Sequence, residues 1–216
     1  MKEKNLPKRD IILNAAIRVF AEQGYHSCRT LDISNEAGVA YGSLYHYFKS
    51  KDDILLSIFR ERWKLLLAQM DRMNEEIDDP EKRLIAIFDF IFRSYENYPD
   101  MMKVLIMDVP RLKQFYSPEN QKLYNRFFTG LAEIFREGQE RGIFSRQISP
   151  ITASFVFNGA VDTTIRQYVY NPELNRVAHP VRDIKREIVA LLKKGVLAEA
   201  PKTEKPAAKS PRTGQK

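Results

Sequence analysis

Residues Thr30–Lys51 read TLDISNEAGVAYGSLYHYFKSK, and this run of small and apolar residues predicts two short helices joined by a tight turn. Gly38 lies where the turn needs a residue that tolerates positive φ. The apolar residues expected to return to a core are Leu31, Ile33, Ala37, Val39, Leu44 and Phe48. This pattern is typical of a helix-turn-helix, whose second helix lies in the major groove of DNA.

The second helix of this motif leaves a small, hydroxyl-rich surface outside. Its N-terminal residues are expected to approach base edges in the groove. These residues are Tyr41, Gly42, Ser43 and Tyr45. Phosphate contacts are expected from Arg29, Thr30, Tyr45, His46 and Lys51. Tyr47 and Phe48 are expected to pack inside and to anchor the helix.

Helical segments flank the motif on both sides. Apolar residues at helical spacing between positions 12 and 20 predict a helix that ends at Gly24. Ser50 and Asp53, three residues apart, have the form of a capping box that opens a long helix. Three helices around one core therefore predict a DNA-binding domain at residues 1–50.

The segment from about residue 8 to residue 58 resembles the DNA-binding domain of the tetracycline-repressor (TetR) family of bacterial transcription regulators. The matching residues are Ala15, Phe20, Gly24, Ile33, Ala37, Gly38, Val39, Gly42, Leu44, Tyr45, Tyr47, Phe48, Lys49 and Lys51. The resemblance implies a homodimer with a helical second domain that binds a small effector.

Two departures from the family pattern concern helix starts. Ala40 stands where the family usually has the serine that caps the recognition helix, and losing such a cap costs about 1 kcal/mol. Cys28 and Arg29 replace the usual Ser or Thr before the preceding helix. Ser27 and Thr30 are the alternative caps for that helix.

Composition argues against several other classes of protein. The formal net charge of +7 over 216 residues suits a polyanionic partner, although charge does not distinguish DNA from RNA or an acidic membrane. The single cysteine and the absence of an apolar leader or membrane-length apolar run predict a cytoplasmic protein without a membrane partner. The three histidines are scattered and no HExxH, CxxC or GxSxG motif occurs. We therefore expect no enzyme, no catalytic residue, no metal and no cofactor.

Residues 51–198 alternate amphipathic helical segments with short breaks, which predicts an all-α second domain. Breaks fall near Asp78–Pro80, Tyr98–Pro99, Pro110, Ser117–Pro118, Gly142, Ser149–Pro150 and Asn171–Pro172. About five helices are expected beyond the long connecting one, and no strands. Residues 199–216, where prolines alternate with basic residues, have little to bury and are expected to form a disordered basic tail. That tail is either a solvated extension without a specific role, or it attracts DNA phosphates weakly and without sequence preference.

Two late helices are candidates for a dimer interface. The helix over Pro150–Tyr170 carries Ile151, Phe155, Gly159, Ala160 and Ile165, and the helix over Pro180–Leu197 carries Val181, Ile184, Ile188, Leu191 and Leu192. Both helices could instead cover the core of their own domain. The family resemblance favours a homodimer, which presents two recognition helices about 34 Å apart to palindromic operator DNA.

Phenylalanine and methionine residues in the second domain predict an apolar pocket for an effector, although each could simply fill a core. The residues predicted to bind it are Phe88, Phe92, Met107, Arg111, Phe127, Phe128, Phe155 and Asn158. Asn158, Asp162 and Arg166 follow one another at four-residue spacing, so they could pair locally, bond across a dimer interface or orient a ligand.

Two segments, MKVLIMDVPRLKQFYSPE and FNGAVDTTIRQYV, are similar to the acyl-CoA-responsive branch of the TetR family. That resemblance implies a repressor of fatty-acid degradation with a long-chain acyl-CoA as effector. Pro110 interrupts the acidic–apolar–Arg succession of that branch and is expected to bend its helix. The alternative function is a regulator of an efflux pump that responds to drugs or other apolar compounds.

Overall fold

The computed structural model describes residues 6–171, 173 and 180–194, and within this part of the chain it contains helices and no strands. The α-helices are α1 Lys8–Gln23, α2 Thr30–Glu36, α3 Tyr41–Tyr47, α4 Lys51–Glu76, α5 Pro80–Asn97, α6 Pro99–Met107, α7 Pro118–Glu140, α8 Pro150–Tyr170 and α9 Val181–Lys194. Two 3₁₀ helices, Val109–Arg111 and Lys113–Tyr116, connect α6 to α7. The all-α prediction is confirmed, and the predicted tail lies outside the described residues.

Helix boundaries follow the local signals in the sequence. The Ser50 hydroxyl accepts the N–H of Asp53 at 3.1 Å and opens α4. Ser149 caps α8 in the same way. Among the helices that the structure describes, four begin with a proline, which lacks the N–H that would be unpaired there: α5, α6, α7 and α8. Gly24 ends α1 with φ of 81°, a conformation that favours glycine.

A first hydrophobic core joins α1, α2, α3 and the N-terminal half of α4. Ile12, Phe20, Ile33 and Leu44 are almost completely buried in it. The same core includes residues of α6 and of both 3₁₀ helices, so it continues past residue 50. The N-terminal helices therefore pack directly against the part of the chain that follows the long helix.

Two aromatic or apolar residues expected in this core lie on the surface instead. Leu31 is 48% exposed, because it is two residues from Ile33 and faces the other side of α2. Tyr47 is 42% exposed, whereas Leu44 and Phe48, one turn apart, take the buried side of the helix. The expectation that Tyr47 packs inside was wrong, and the expectation for Phe48 is confirmed.

A second hydrophobic core lies between α4, α5, α7 and α8, with α9 packed on its edge. Phe88 and Phe92 of α5 stack at its centre, with ring centroids 4.3 Å apart and planes 5° from parallel. Phe157 of α8 meets Phe88 edge-on at 6.4 Å. None of the described helices is long and apolar enough to cross a membrane.

Gly138 in α7 is required by its closeness to the buried ring of Phe144. A Cβ atom at position 138 would lie 2.1 Å from Cδ2 of Phe144. Gly138→Ala is therefore expected to overpack the second core, to lower the free energy of unfolding by about 3 kcal/mol and to lower the melting temperature by about 6–12 °C. Thermal unfolding followed by circular dichroism measures this change.

Gly130 supplies the matched control on the same helix. Its Cβ atom would meet only the flexible end of Met70, with Cε at 3.2 Å. Alanine has the higher helix propensity, so Gly130→Ala is expected to leave the melting temperature unchanged or to raise it. An equal fall for both variants would contradict the assigned contact with Phe144.

Candidate functional site

The turn between α2 and α3 has the geometry of a helix-turn-helix. Gly38 has φ of 64°, which is the positive value expected from the sequence. Ala40 precedes α3 without a side-chain cap, as its methyl group requires. At the start of α2, the carboxylate of Asp32 accepts the backbone N–H of Arg29 at 2.6 Å. Arg29 is therefore the N-cap position of α2, in place of the alternatives Ser27 and Thr30.

Three hydroxyl groups meet on the outer surface of α2 and α3. Oγ1 of Thr30 lies 3.3 Å from the Tyr41 hydroxyl and 3.1 Å from the Tyr45 hydroxyl, and the two tyrosine hydroxyls are 2.9 Å apart. The tyrosine rings meet edge to face at 5.2 Å. Hydrogen bonds, first with Thr30 and then with Tyr45, lower the pKa of Tyr41. These contacts hold the two tyrosines in one arrangement, so less side-chain entropy is lost when a partner binds.

The other predicted base-contacting residues, Gly42 and Ser43, also belong to α3. Gly42 is exposed beside Tyr41, and Ser43 is half-buried on the side of α3 nearer the core. His46 near the end of α3 and Arg29 before α2 are exposed. Among the predicted DNA-binding residues, the structure brings Thr30, Tyr41 and Tyr45 into contact, and Arg29, Gly42, Ser43 and His46 lie in or next to the same two helices.

Lys51 holds two segments of the protein together. Its ammonium group donates to the backbone carbonyls of Tyr25 at 2.5 Å and Cys28 at 2.8 Å, and it lies 4.5 Å from the centroid of the Tyr25 ring. Two of its three donors are therefore occupied. The Tyr25 hydroxyl donates to Asp52, and burial raises the pKa of Tyr25. Lys51 thus attaches the loop after α1 to the start of α4, and its phosphate contact stays a prediction for the remaining donor.

A cavity of about 610 Å³ lies between α4, α5, α6, α7 and α8. Its wall is mostly aromatic and aliphatic, with a few polar groups. The apolar wall residues are Phe59, Trp63, Leu65, Leu66, Phe90, Ile91, Met101, Met102, Leu105, Ile106, Val109, Pro110, Phe115, Phe127, Gly159, Val161 and Ile165. This volume is within the range of about 300–1,000 Å³ that is usual for small-molecule sites.

Only two of the predicted ligand-binding residues, Phe127 and Asn158, lie in the wall of this cavity. The other six lie elsewhere because the helices turn them away: Phe88, Phe92 and Phe128 are buried in the second core, Met107 packs against that core, Arg111 is exposed on a 3₁₀ helix and Phe155 is exposed on α8. The prediction for these six therefore does not match the cavity in the described residues.

The wall residues missed by the sequence analysis follow a helical pattern. On α4, Phe59, Arg62, Trp63 and Leu66 recur at three- and four-residue spacing. Tyr98, Met101, Met102 and Leu105 do the same around α6. This spacing identifies one face of each helix, but it does not say whether that face meets a core or a cavity.

Asn158, Asp162 and Arg166 form a polar row along the cavity side of α8. Arg166 Nη2 donates to Asp162 at 3.1 Å, so the local pairing expected as one alternative is present. Arg166 Nη1 also donates to the backbone carbonyl of Ile106 at 3.4 Å. Burial, and then the charge of Asp162, raise the pKa of Tyr124 across the cavity. The cavity thus combines a long apolar wall with the polar row of α8, and Arg62, Ser94 and Gln121 add polar groups elsewhere in its wall.

α8 also exposes large apolar residues, on the strip that adjoins the polar row and away from the side buried in the second core. Phe155 is 55% exposed and touches Phe128 at its base, and Ile151, Val156 and Tyr170 are exposed as well. Gly159 has open space around it, whereas Ile165 is buried and faces inward. α8 therefore covers its own core with one side and leaves the other uncovered.

The apolar residues of α9 that were predicted to form the dimer interface also fall on two sides of their helix. Ile184 and Ile188 pack against the second core, and Leu191 is exposed. The side chains of Val181 and Leu192 lie outside what the structure describes. Within the described residues, no group of three or more His, Cys, Asp or Glu side chains could hold a metal ion.

Two family models match the chain. The model of bacterial regulatory proteins of the tetR family matches residues 12–58. The model of the tetracyclin repressor-like C-terminal domain matches residues 80–161. The first range contains the helix-turn-helix, and the second contains most of the cavity wall.

Proteins similar to this chain include regulators of fatty-acid metabolism. The fatty acid metabolism regulator protein of Bacillus subtilis (strain 168) is 27% identical over 173 residues, which cover 80% of this chain and 89% of that protein. The structure of the fatty acid degradation regulator FadR from Bacillus halodurans is 25% identical, with a TM-score of 0.76 over 90% of this chain and 98% of that one. The structure of FadR from B. subtilis in complex with stearoyl-CoA is 24% identical, with a TM-score of 0.77 over 87% of this chain and 99% of that one.

Proposed function

The chain belongs to the TetR family of bacterial regulatory proteins, and on this premise we propose that it is a homodimeric repressor that a long-chain acyl-CoA releases from operator DNA. The observation that supports this choice of effector is the cavity of about 610 Å³ with its polar row on α8. The names of its relatives support fatty-acid metabolism as the regulated process. The protein is a transcription regulator and not an enzyme.

The DNA-binding domain is proposed to occupy residues 1–50, and the effector-binding and dimerisation domain residues 51–198, in a protein that acts in the cytoplasm. The hydroxyl cluster of Thr30, Tyr41 and Tyr45 faces outward, where a groove or a phosphate can reach it. A homodimer presents two such surfaces about one DNA turn, or about 34 Å, apart. A palindromic operator fits this arrangement.

The cavity suits an effector with an apolar chain and a polar head. Its aromatic and methionine side chains can adapt to an acyl chain. Asn158 and Arg166 offer hydrogen-bond donors to carbonyl or phosphate oxygens. A ligand of this kind was bound in the FadR neighbour, whose structure contains stearoyl-CoA.

Coupling between effector and DNA follows from residues that the cavity shares with the first core. Phe59, Met101, Val109 and Phe115 line the cavity and also belong to the core of the N-terminal helices. An effector that moves these residues changes the packing under α1 and tilts α4, which alters the separation of the two recognition helices. A hundredfold loss of operator affinity requires the effector to favour the released state by about 2.7 kcal/mol.

Fluorescence anisotropy with the DNA upstream of its own gene tests this function. Stearoyl-CoA is expected to release the protein from that DNA, and free CoA is not, because only the acyl chain fills the apolar wall. Specific DNA binding that ignores stearoyl-CoA would leave a regulator whose effector is a drug or another apolar compound. No specific binding to this DNA would contradict an operator there.

A pair of charge substitutions on α5 tests the cavity itself. Ile91 and Ile85 are both half-buried, but only Ile91 lines the cavity. Ile91→Asp is expected to weaken stearoyl-CoA binding at least tenfold, since an acyl chain beside the new carboxylate deprives it of water. Ile85→Asp controls for any general loss of stability. Equal acyl-CoA affinity of the two variants, measured by isothermal titration calorimetry, would place the acyl chain elsewhere.

A further inference from the structure

Pro110 leaves a backbone carbonyl at the end of α6 without its usual partner. In an α-helix the carbonyl of Ile106 would accept the N–H of residue 110, but proline has none. α6 ends at Met107, and a 3₁₀ helix continues from Val109. The residue Ile106 is buried, and a buried carbonyl needs a donor.

Arg166 supplies a donor to this carbonyl from the cavity side of α8. Its Nη1 lies 3.4 Å from the Ile106 oxygen, and its Nη2 lies 3.1 Å from Asp162 Oδ2. Arg166, Asp162 and Ile106 all line the cavity. A carbonyl or anionic group of a bound effector would therefore compete with the Ile106 oxygen for the same guanidinium.

α6 is also in direct contact with the N-terminal helices. The ammonium of Lys103 donates to the carbonyl of Ala21 at 2.7 Å, in the last turn of α1. Met101 and Val104 are buried in the first core. Burial raises the pKa of Asp108 at the end of α6, and the charges of Arg111, His26 and Lys103 act in the opposite direction. The C-terminal end of α6 is thus bonded to Arg166 of α8 in the cavity wall, whereas the rest of α6 packs against the N-terminal helices.

We propose that Arg166 is a positioning residue that holds α6 in the operator-binding arrangement through the Ile106 carbonyl and releases it when the effector takes the guanidinium. This inference rests on the proposed function, because it states how effector binding in the same cavity changes the affinity for DNA. Breaking the contact should imitate the effector. Arg166 acts on DNA through α6, without touching the DNA.

The first test is Arg166→Gln, with operator affinity measured by anisotropy with and without saturating stearoyl-CoA. The operator Kd without effector is expected to rise about tenfold, which corresponds to a hydrogen bond from a charged donor. Stearoyl-CoA should then weaken binding less than about threefold further, where the wild type loses about a hundredfold. Arg72, which also forms an ion pair with a carboxylate four residues away, is the control, and Arg72→Gln should behave as the wild type does.

A second variant separates this role from a general loss of stability. Pro110→Ala gives position 110 an N–H that can bond the Ile106 carbonyl without Arg166. The double variant Pro110→Ala/Arg166→Gln is expected to regain tight operator binding and to remain unresponsive to stearoyl-CoA. A wild-type response in either Arg166→Gln or the double variant would overturn the proposal, and so would a double variant that binds DNA as weakly as the single one. Failure of stearoyl-CoA to release the wild type would instead count against the proposed function.

Discussion

Replacing Tyr45 with alanine is expected to weaken operator binding at least hundredfold while the protein stays folded. The ring is 45% exposed on α3, and its hydroxyl lies within hydrogen-bond distance of both Thr30 and Tyr41. Removing it deletes one contact and frees the two neighbours that it holds. Each lost base or phosphate contact costs about 1–3 kcal/mol, and a dimer loses it twice, so the loss is about 2–6 kcal/mol, and the middle of this range, about 4 kcal/mol, exceeds the 2.7 kcal/mol of a hundredfold change.

Tyr45→Phe is the matched control for this prediction. It keeps the edge-to-face contact with the Tyr41 ring and removes only the hydroxyl. Its operator affinity, measured by anisotropy, should fall between those of the wild type and Tyr45→Ala. Unchanged binding by Tyr45→Ala, with an unchanged melting temperature for both, would mean that the hydroxyl cluster is not the surface that reads DNA.

Phe155→Asp is expected to convert the dimer to a monomer and to reduce operator affinity by two orders of magnitude or more. Phe155 is 55% exposed on the uncovered side of α8, so the substitution strains little within one protomer. In the proposed dimer the same carboxylate would be buried twice without a partner. A monomer loses the gain from linking two half-site contacts, which amounts to about 10²–10⁴ in affinity.

Analytical ultracentrifugation measures the first part of this prediction, and anisotropy the second. Leu31→Asp places the same charge at a similarly exposed leucine of α2 and is expected to remain dimeric. If Phe155→Asp sediments as a dimer at micromolar concentration, the exposed side of α8 is not the interface.

Most helix starts and ends were predictable because their signals are local, although the N-cap of α2 is Arg29 and not one of the expected residues Ser27 and Thr30. Ser50 accepts the N–H of Asp53, Gly38 adopts positive φ, and a proline opens four of the described helices, as the sequence indicates. Each feature depends on residues within one turn of the chain. The all-α fold and the helix-turn-helix therefore needed no knowledge of tertiary contacts.

The cavity wall was predictable only in part, because it depends on which helices meet. Phe88 and Phe92 looked like pocket residues, yet their rings stack on each other in a closed core. Trp63 lies on a regular apolar face of α4, and nothing in that spacing distinguishes a core from a cavity. Lys51 is a similar case, since its carbonyl partners are 23 and 26 residues away in sequence.

The tryptophan in the cavity wall gives the protein its own optical reporter. Trp63 is the only tryptophan of the chain, its ring stacks on Tyr124 at 5.6 Å, and its indole N–H donates to the carbonyl of Leu123 at 3.1 Å. An acyl chain entering the cavity would displace water from one side of this ring and leave the hydrogen bond in place. The emission spectrum of the unlabelled protein should therefore shift with effector occupancy alone, with no second indole to obscure the signal.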